Sequence, residues 1–370
     1  MPLTMGPAKG PFEEGANGLP DDSALPGLRR MRTSGLAATL PGLGLEGALT
    51  DIRMCNHHPG ERAALEVRTA DRRFAIKVYA DDPAAEAEVY RRLSAEGLAG
   101  DTGPRVPRLL SWDRDLKILV LSWLEGPPAN RLVKNGKGRR AGELVAAWLR
   151  KAATLDARFG PPRSGGYTLY RLGVSVGALA AADPTLGATA KRTAKILVRT
   201  QPRDDTLHLV HGTLYARHVL DTGDGPGVID WPQFGRGPLE VDAGMFLATV
   251  SRTALRHTEV AEEADRAKDA FVEGTRGLVD PKSLEWYWAA SLLDLAPRCL
   301  KNGQKREGIL DALSLLDEAA GRAERLENER AELDEADLHL QQSHEHLPSD
   351  GKDTAGRRVS GRNSIGGTTP

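Results

Sequence analysis

One change of periodicity constrains this chain more than any other feature. Up to Trp123 the apolar residues fall in short strand-like runs: Ala63–Val67 continued by Arg68 and Thr69, then Phe74–Tyr79, then Lys117–Trp123. One helix interrupts them, with Ala85, Val89 and Leu93 four apart on one face, and Pro104 and Pro107 keep the segment after it extended. Past the break at Glu125-Gly126-Pro127-Pro128 the spacing turns helical. Leu144, Trp148, Ala152 and Leu155 form one stripe, Val260, Ala264, Ala267 and Phe271 a second, and Ile309, Leu313, Leu316 and Ala320 a third. Another helix carries its own start signal, with Asp280 as N-cap, Pro281 at the first position, and Leu284, Trp288, Leu292 and Leu295 behind them. A β-rich part, a Pro-Gly hinge and a larger helical part predict an α+β, two-lobed chain with a cleft between the lobes.

The boundaries follow from the same reading. Residues 1–42 are rich in Gly, Pro and small polar residues and are expected to be disordered; 43–124 form the N-lobe, 125–335 the helical C-lobe, and 336–370 a flexible tail. Lys plus Arg number 50 against 51 Asp plus Glu, a net charge of -1, so neither nucleic acid nor an anionic membrane is an expected partner. Two cysteines, Cys55 and Cys299, are too few for a disulfide framework, and no apolar run is long enough to cross a bilayer; a soluble cytoplasmic protein is expected. His339, His344 and His346 stand in a charged C-terminal stretch with no metal-site spacing, and LENERAELDEADL reads as a solvated helix face.

The helical half contains one non-helical island, LHLVHGTLYARHVLDTGDGPGVIDW. Leu207–Val210, His218–Asp221 and Gly227–Trp231 are strand candidates there, the last two joined by the turn-rich TGDGP. HGTLYARHVL followed by VIDW, the lysine of AIKVY, the acidic helix behind it and the LVLSWLEG hinge together resemble the aminoglycoside phosphotransferase family over about residues 50–300. That resemblance implies a protein-kinase-like fold, a small β-rich N-lobe on a larger helical C-lobe, and transfer of the γ-phosphoryl group of ATP to a hydroxyl of a small molecule such as a sugar, an amino alcohol or an aminoglycoside-like compound.

Such a transfer needs a metal held by hard oxygens, a cation on the phosphates and a group that orients the acceptor. Lys77, mid-strand between Ile76 and Val78, is the cation, and the resemblance puts it on the α- and β-phosphates with Glu86 as its partner, Glu88 being the alternative. Asp230 is the expected metal ligand, and is also readable as a structural turn-capping Asp. Asp242 resembles a family aspartate that braces the catalytic loop, and is equally readable as a helix N-cap. Adenine is expected against hinge backbone around Ser122 to Leu124. The segment MCNHHPGERAALEV is the only candidate for a phosphate-covering loop, with Arg62 near the phosphates; it is also readable as a plain hairpin turn, and His57 and His58 lack further metal ligands.

Two positions depart from the family pattern. Thr213 stands where the family has its catalytic aspartate and His218 where it has a metal-binding asparagine. A threonine hydroxyl does not accept a proton from an alcohol near neutral pH, and imidazole suits Mn2+ better than Mg2+. His211 and His218 are therefore candidates, beside Thr213, for work at the acceptor, although His211 resembles a scaffold residue of the family loop. The alternative is a nucleotide-binding pseudokinase that regulates or scaffolds a protein partner.

Overall fold

The structure is a computed structural model that describes residues 18–39, 41–45, 49–156, 159–203, 206–302 and 305–345. It divides into two compact units, one ending at Glu327 and one starting at Asn328. The candidate site lies within the first.

The chain opens with helices α1 (Pro26–Ser34) and α2 (Leu36–Thr39). Strands β1 (Leu49–His58), β2 (Arg62–Thr69) and β3 (Arg73–Tyr79), helix α3 (Ala84–Ala95), and strands β4 (Leu109–Asp113) and β5 (Ile118–Ser122) follow. All five strands pair antiparallel in the order β1-β2-β3-β5-β4. The register sets Lys77 of β3 between Ala64 of β2 and Leu119 of β5, in the middle of the sheet. β1 escapes the strand pattern because it is an edge strand with little of its length buried, so no alternation marks it.

The N-terminal segment corrects the expectation of disorder. Leu19, Leu25, Leu28, Met31, Leu43 and Leu45 are buried in one cluster with Val67, Ile76, Val78 and Ile118 of the sheet. Each such side chain contributes about 1.5–3 kcal/mol on burial. Six of them offset the ordering entropy of a segment whose Gly and Pro content hides its leucines. The part of that expectation falling on residues 1–17 lies outside the described residues.

Beyond the hinge come α4 (Ala129–Lys134), α5 (Gly138–Ala152), α6 (Gly165–Ala182) and α7 (Pro184–Arg199). Short strands β6 (His208–Val210), β7 (Val219–Asp221), β8 (Pro226–Val228) and β9 (Gly235–Gly237) interrupt the helices. Then follow α8 (Glu240–Arg256), α9 (Ala261–Gly274), α10 (Pro281–Leu295) and α11 (Lys305–Glu345). β7 and β8 make the expected hairpin, whereas β6 pairs with β9, a strand that Gly-Arg-Gly does not announce. The third strand ends at Val228, short of the predicted Trp231, and Asp230 leaves the extended region altogether with φ +70°. α6 and α7 carry clear caps: Ser164 accepts from the Tyr167 amide, and Asp183 from the amides of Thr185 and Leu186. Their small Gly, Ala and Thr residues blur the helical stripe. α11 carries the chain to Glu345 where a tail was expected from 336; His339 and His344 fall on it, and His346 with the rest of the predicted tail lies outside the described residues.

The C-lobe core is aromatic, built on Trp148, Trp231, Trp286, Phe246 and Phe271. Trp148 of α5 meets Trp231 edge-on at 5.7 Å, which anchors the segment carrying Asp230 to the helical core. Arg140 of α5 holds Asp221 with two hydrogen bonds of 3.0 and 2.8 Å and fixes the β7–β8 hairpin from the side. No helix among the described residues is long and apolar enough to cross a membrane.

Candidate active site

Lys77 is the centre of a charge cluster drawn from both lobes. Its ammonium donates to Glu86 of α3 and, at 2.8 Å, to Asp230 Oδ1 beyond β8. Glu86 also accepts from the Tyr79 hydroxyl at 2.5 Å. Lys77 and Glu86 are both buried, while Asp230 keeps 31% of its side chain exposed. Glu88, the alternative partner, is half exposed and pairs with Arg91 and Arg92 instead. Burial by itself would neutralise these groups; the carboxylates of Asp230 and Glu86 overcome it and raise the Lys77 ammonium well above its ordinary value. Burial would likewise raise the Asp230 carboxyl, but Lys77 and, after it, Arg62 hold it far below the usual carboxylate range. Arg62, the first residue of β2, thus acts on Asp230 across the cleft.

The loop between β6 and β7 is fixed from beneath. Asp242, in the first turn of α8, accepts from the amides of His211 at 2.7 Å and Gly212 at 2.8 Å. Burial pushes its carboxyl up to about 7 against those two donors. Gly212 sits at φ +77°, and a Cβ there would lie 2.1 Å from the Gln233 carbonyl oxygen, so only glycine fits. His211 is wholly buried with both ring nitrogens engaged: Nδ1 accepts from the Thr213 amide at 3.3 Å and Nε2 donates to the Ile229 carbonyl at 2.9 Å. Burial lowers its pKa to about 4. The expectation of His211 at the reacting atoms is therefore corrected, because the neutral ring has no lone pair left to offer and no surface to offer it from.

His218 is placed differently. Its Nδ1 lies 3.0 Å from the Thr213 carbonyl oxygen, which can only accept, so Nδ1 carries the hydrogen. Burial holds the ring neutral, with its pKa well below the ordinary value. Nε2 then presents a lone pair 3.4 Å from Asp230 Oδ2. Oxygen and nitrogen donors at that spacing fit a divalent cation between them.

Other predicted residues take quieter places. The Ser122 amide donates to the Arg108 carbonyl and its hydroxyl accepts from the Arg108 amide; Leu124 packs toward Gly227 at the hinge. His57 and His58 point apart, His57 to Asp22 at 2.9 Å and His58 to Asn56 at 3.0 Å, and no group of three or more metal-ligating side chains occurs among the described residues. Asp22 also accepts from the Gly60 amide at 2.8 Å, tying the N-terminal segment to the tip of the β1–β2 hairpin.

Thr213 lines a pocket in the C-lobe. Gly212 and Gln233 form its roof, Met245 and Tyr287 its apolar wall, and Arg163 and Arg171 its charged side. Sequence reasoning missed both arginines, which stand in the linker before α6 and on α6 without a motif around them.

The geometry agrees with what the chain is similar to. A model of the phosphotransferase enzyme family matches residues 60–281, a span that includes Lys77, Glu86, Thr213, Asp230 and Asp242. The chain belongs to the phosphotransferase enzyme family. Among solved structures it is similar to a type VIII aminoglycoside-3'-phosphotransferase, at 23% identity over 70% of this chain and 97% of that one, with a TM-score of 0.50. It is also similar to a thermostable mutant of aminoglycoside phosphotransferase APH(4)-Ia in ternary complex with ADP and hygromycin B, at 18% identity over 79% and 98% of the two chains, TM-score 0.54. A choline/ethanolamine kinase family protein from Mesorhizobium loti matches at 18% over 80% and 94%, TM-score 0.50. No curated protein matches. The family's kinase-like fold, a five-stranded N-lobe on a helical C-lobe, is thus the fold of this chain.

Proposed function

We propose that this phosphotransferase-family protein moves the γ-phosphoryl group of ATP to a hydroxyl of a small molecule. The observation that carries the reading is the Lys77–Glu86–Asp230 cluster, a cation and an acid from different lobes aligned in one cleft. Residues 43–124 are assigned to the nucleotide and 125–335 to the acceptor, and two unpaired cysteines, Cys55 and Cys299, support a cytoplasmic setting.

Lys77 is positioned to lie on the phosphates, with Glu86 and Tyr79 keeping its ammonium charged and aimed. Asp230 Oδ2 and His218 Nε2 are the donors for a divalent cation, which supplies neutralisation of phosphate charge when bound; a nitrogen ligand favours Mn2+ over Mg2+. Thr213 orients the acceptor hydroxyl by hydrogen bonding and takes no proton from it. A general base is worth about 10²- to 10⁴-fold, so turnover is expected to be slow by that margin.

The test is a thermal-shift titration of the full chain with ATP, with Mg2+ or Mn2+, beside Lys77→Ala and Asp230→Ala, followed by ADP release from an acceptor panel with wild type and Thr213→Asp. Stabilisation that needs metal and both side chains, with turnover that rises in Thr213→Asp, supports the reading. Absence of any nucleotide effect overturns it. Thr213 itself favours a second reading, a nucleotide-binding regulator of a protein partner, and nucleotide stabilisation without ADP release in either protein would select that one.

A further inference from the structure

The pocket beneath Thr213 has the wrong charge for a polycation. Its charged lining is Arg163, Arg171 and Asp294, and Asp294 is already spent: Arg171 reaches both of its oxygens at 3.2 Å, Ser175 donates to it at 3.0 Å and Arg298 at 3.3 Å. The carboxylates that a cationic acceptor would need are engaged elsewhere, Glu240 on the Asp280 amide and Glu263 on the Gly138 amide and Arg266.

Arg163 is the opposite case. Only 9% of it is exposed, its guanidinium lies 4.5 Å from the Tyr167 ring and also meets the Tyr167 side chain, and it donates to the Gln233 carbonyl at 2.9 Å and the Gln233 side-chain oxygen at 3.3 Å, none of them a carboxylate. Among the described residues no carboxylate pairs with it, and burial together with the like charge of Arg171 lowers its pKa. A buried cation without a counter-ion is costly unless a ligand supplies one. The positive field also extends past the pocket. Arg298 shares Asp294 with Arg171 and lies on the ring of Tyr215, as does Arg217 at 4.2 Å, and Arg252 also lacks a carboxylate partner among the described residues.

We propose that the acceptor of this enzyme is an anionic hydroxyl compound, its carboxylate or phosphate seated against Arg163 while its hydroxyl lies at Thr213. The assignment rests on the reading of the cleft as a phosphotransferase site and names its substrate class. It separates this chain from a relative such as the one crystallised with hygromycin B.

The test is isothermal titration of the full chain, saturated with AMP-PNP and Mn2+, with glucose, gluconate and glucose 6-phosphate, which differ chiefly in charge, and with kanamycin as a polycation. At least one anion is expected to bind tenfold or more tightly than glucose, to weaken in 0.5 M NaCl, and to lose that advantage in Arg163→Gln while Arg163→Lys keeps part of it. Equal affinity of anions and glucose, no binding of either anion, or tighter binding of kanamycin overturns the proposal. The comparison among ligands is made on wild type, so it stands even if an Arg163 variant fails to fold. Loss of AMP-PNP binding itself would instead count against the phosphotransferase reading. In that event the same titrations without nucleotide still decide the charge preference of the pocket.

Discussion

Around Lys77 each charge meets its opposite, whereas Arg163, beside the loop between β6 and β7, meets none among the described residues. Both are buried cations, 8% and 9% exposed, so the difference does not come from solvent. Lys77 has Glu86 and Asp230 within hydrogen-bond reach, contributed by a helix of one lobe and a loop of the other, and it therefore helps hold the two lobes in register. Arg163 has the Gln233 oxygens and the Tyr167 side chain, which orient a guanidinium but do not neutralise it. One site is complete before any ligand arrives; the other is finished by what it binds.

The sharpest way to break this comparison is to remove each cation in turn. Lys77→Met leaves Glu86 buried without its partner and should lower the unfolding free energy by about 3–5 kcal/mol. Arg163→Met removes an uncompensated charge and should change it by less than about 1 kcal/mol in anion-free buffer. Urea unfolding of both variants checks the pair, and equal losses would show that Arg163 is a structural brace rather than a waiting site. Glu88→Gln, next to the cluster but outside it, should leave both stability and nucleotide affinity unchanged.

A somewhat smaller effect is expected under the loop that the two sites share. Asp242→Ala strips the acceptor from two buried amides, His211 and Gly212, each worth about 1–3 kcal/mol when left unpaired. A loss of about 2–4 kcal/mol should appear in the same unfolding experiment. Hydrogen exchange at His211 and Gly212 should quicken together, since one carboxylate holds both.

The legibility of the two sites differs for a physical reason. Lys77 and Glu86 sit in a strand and a helix whose period shows in the chain, and Asp230 and Asp242 are marked by the resemblance of their motifs to the family's. Arg163 stands in Pro161-Pro162-Arg163-Ser164, a linker with no period, and only the packing of that linker against β9 carries it to the pocket. For His211 the motif shows the place and leaves the choice between acceptor and scaffold open; its enclosure by Ile229 and Thr213, a tertiary fact, selects the scaffold. The N-terminal segment is similar, since five scattered leucines and a methionine gain meaning only against the sheet.

Protonation offers a finer probe of the loop. His211 titrates at about 4 in the folded chain, below its ordinary 6.5, so its contribution is present above 6.5 and is lost as pH falls toward 4. Asp242 is raised from 3.8 to about 7, so its contribution is present below 3.8 and is lost as pH rises through 7. Between about pH 4 and 6.5 the two slopes oppose each other. Asp242→Asn removes one of them, and stability should then rise with pH more steeply than in wild type, by about 1.4 kcal/mol per unit. Parallel curves for the two proteins would mean that Asp242 is ionised throughout.

A smaller effect than at Asp242 is expected where a carboxylate ties the N-terminal segment to the tip of the β1–β2 hairpin. Asp22 accepts from the Gly60 amide and from His57 at the β1–β2 turn, and those contacts, with the Ala24 amide, hold its carboxyl below the usual range despite burial. Asp22→Asn keeps an oxygen for Gly60 but gives up the charge, so about 0.5–1.5 kcal/mol should be lost, the worth of one hydrogen bond. The signature is local: faster amide exchange at Gly60 and Glu61 with the sheet centre unchanged. If Asp22→Asn instead loosens Lys77 and its neighbours, the hairpin and the charge cluster are one cooperative unit, and the completeness of the nucleotide half depends on the N-terminal segment as well as on the lobes that supply Glu86 and Asp230.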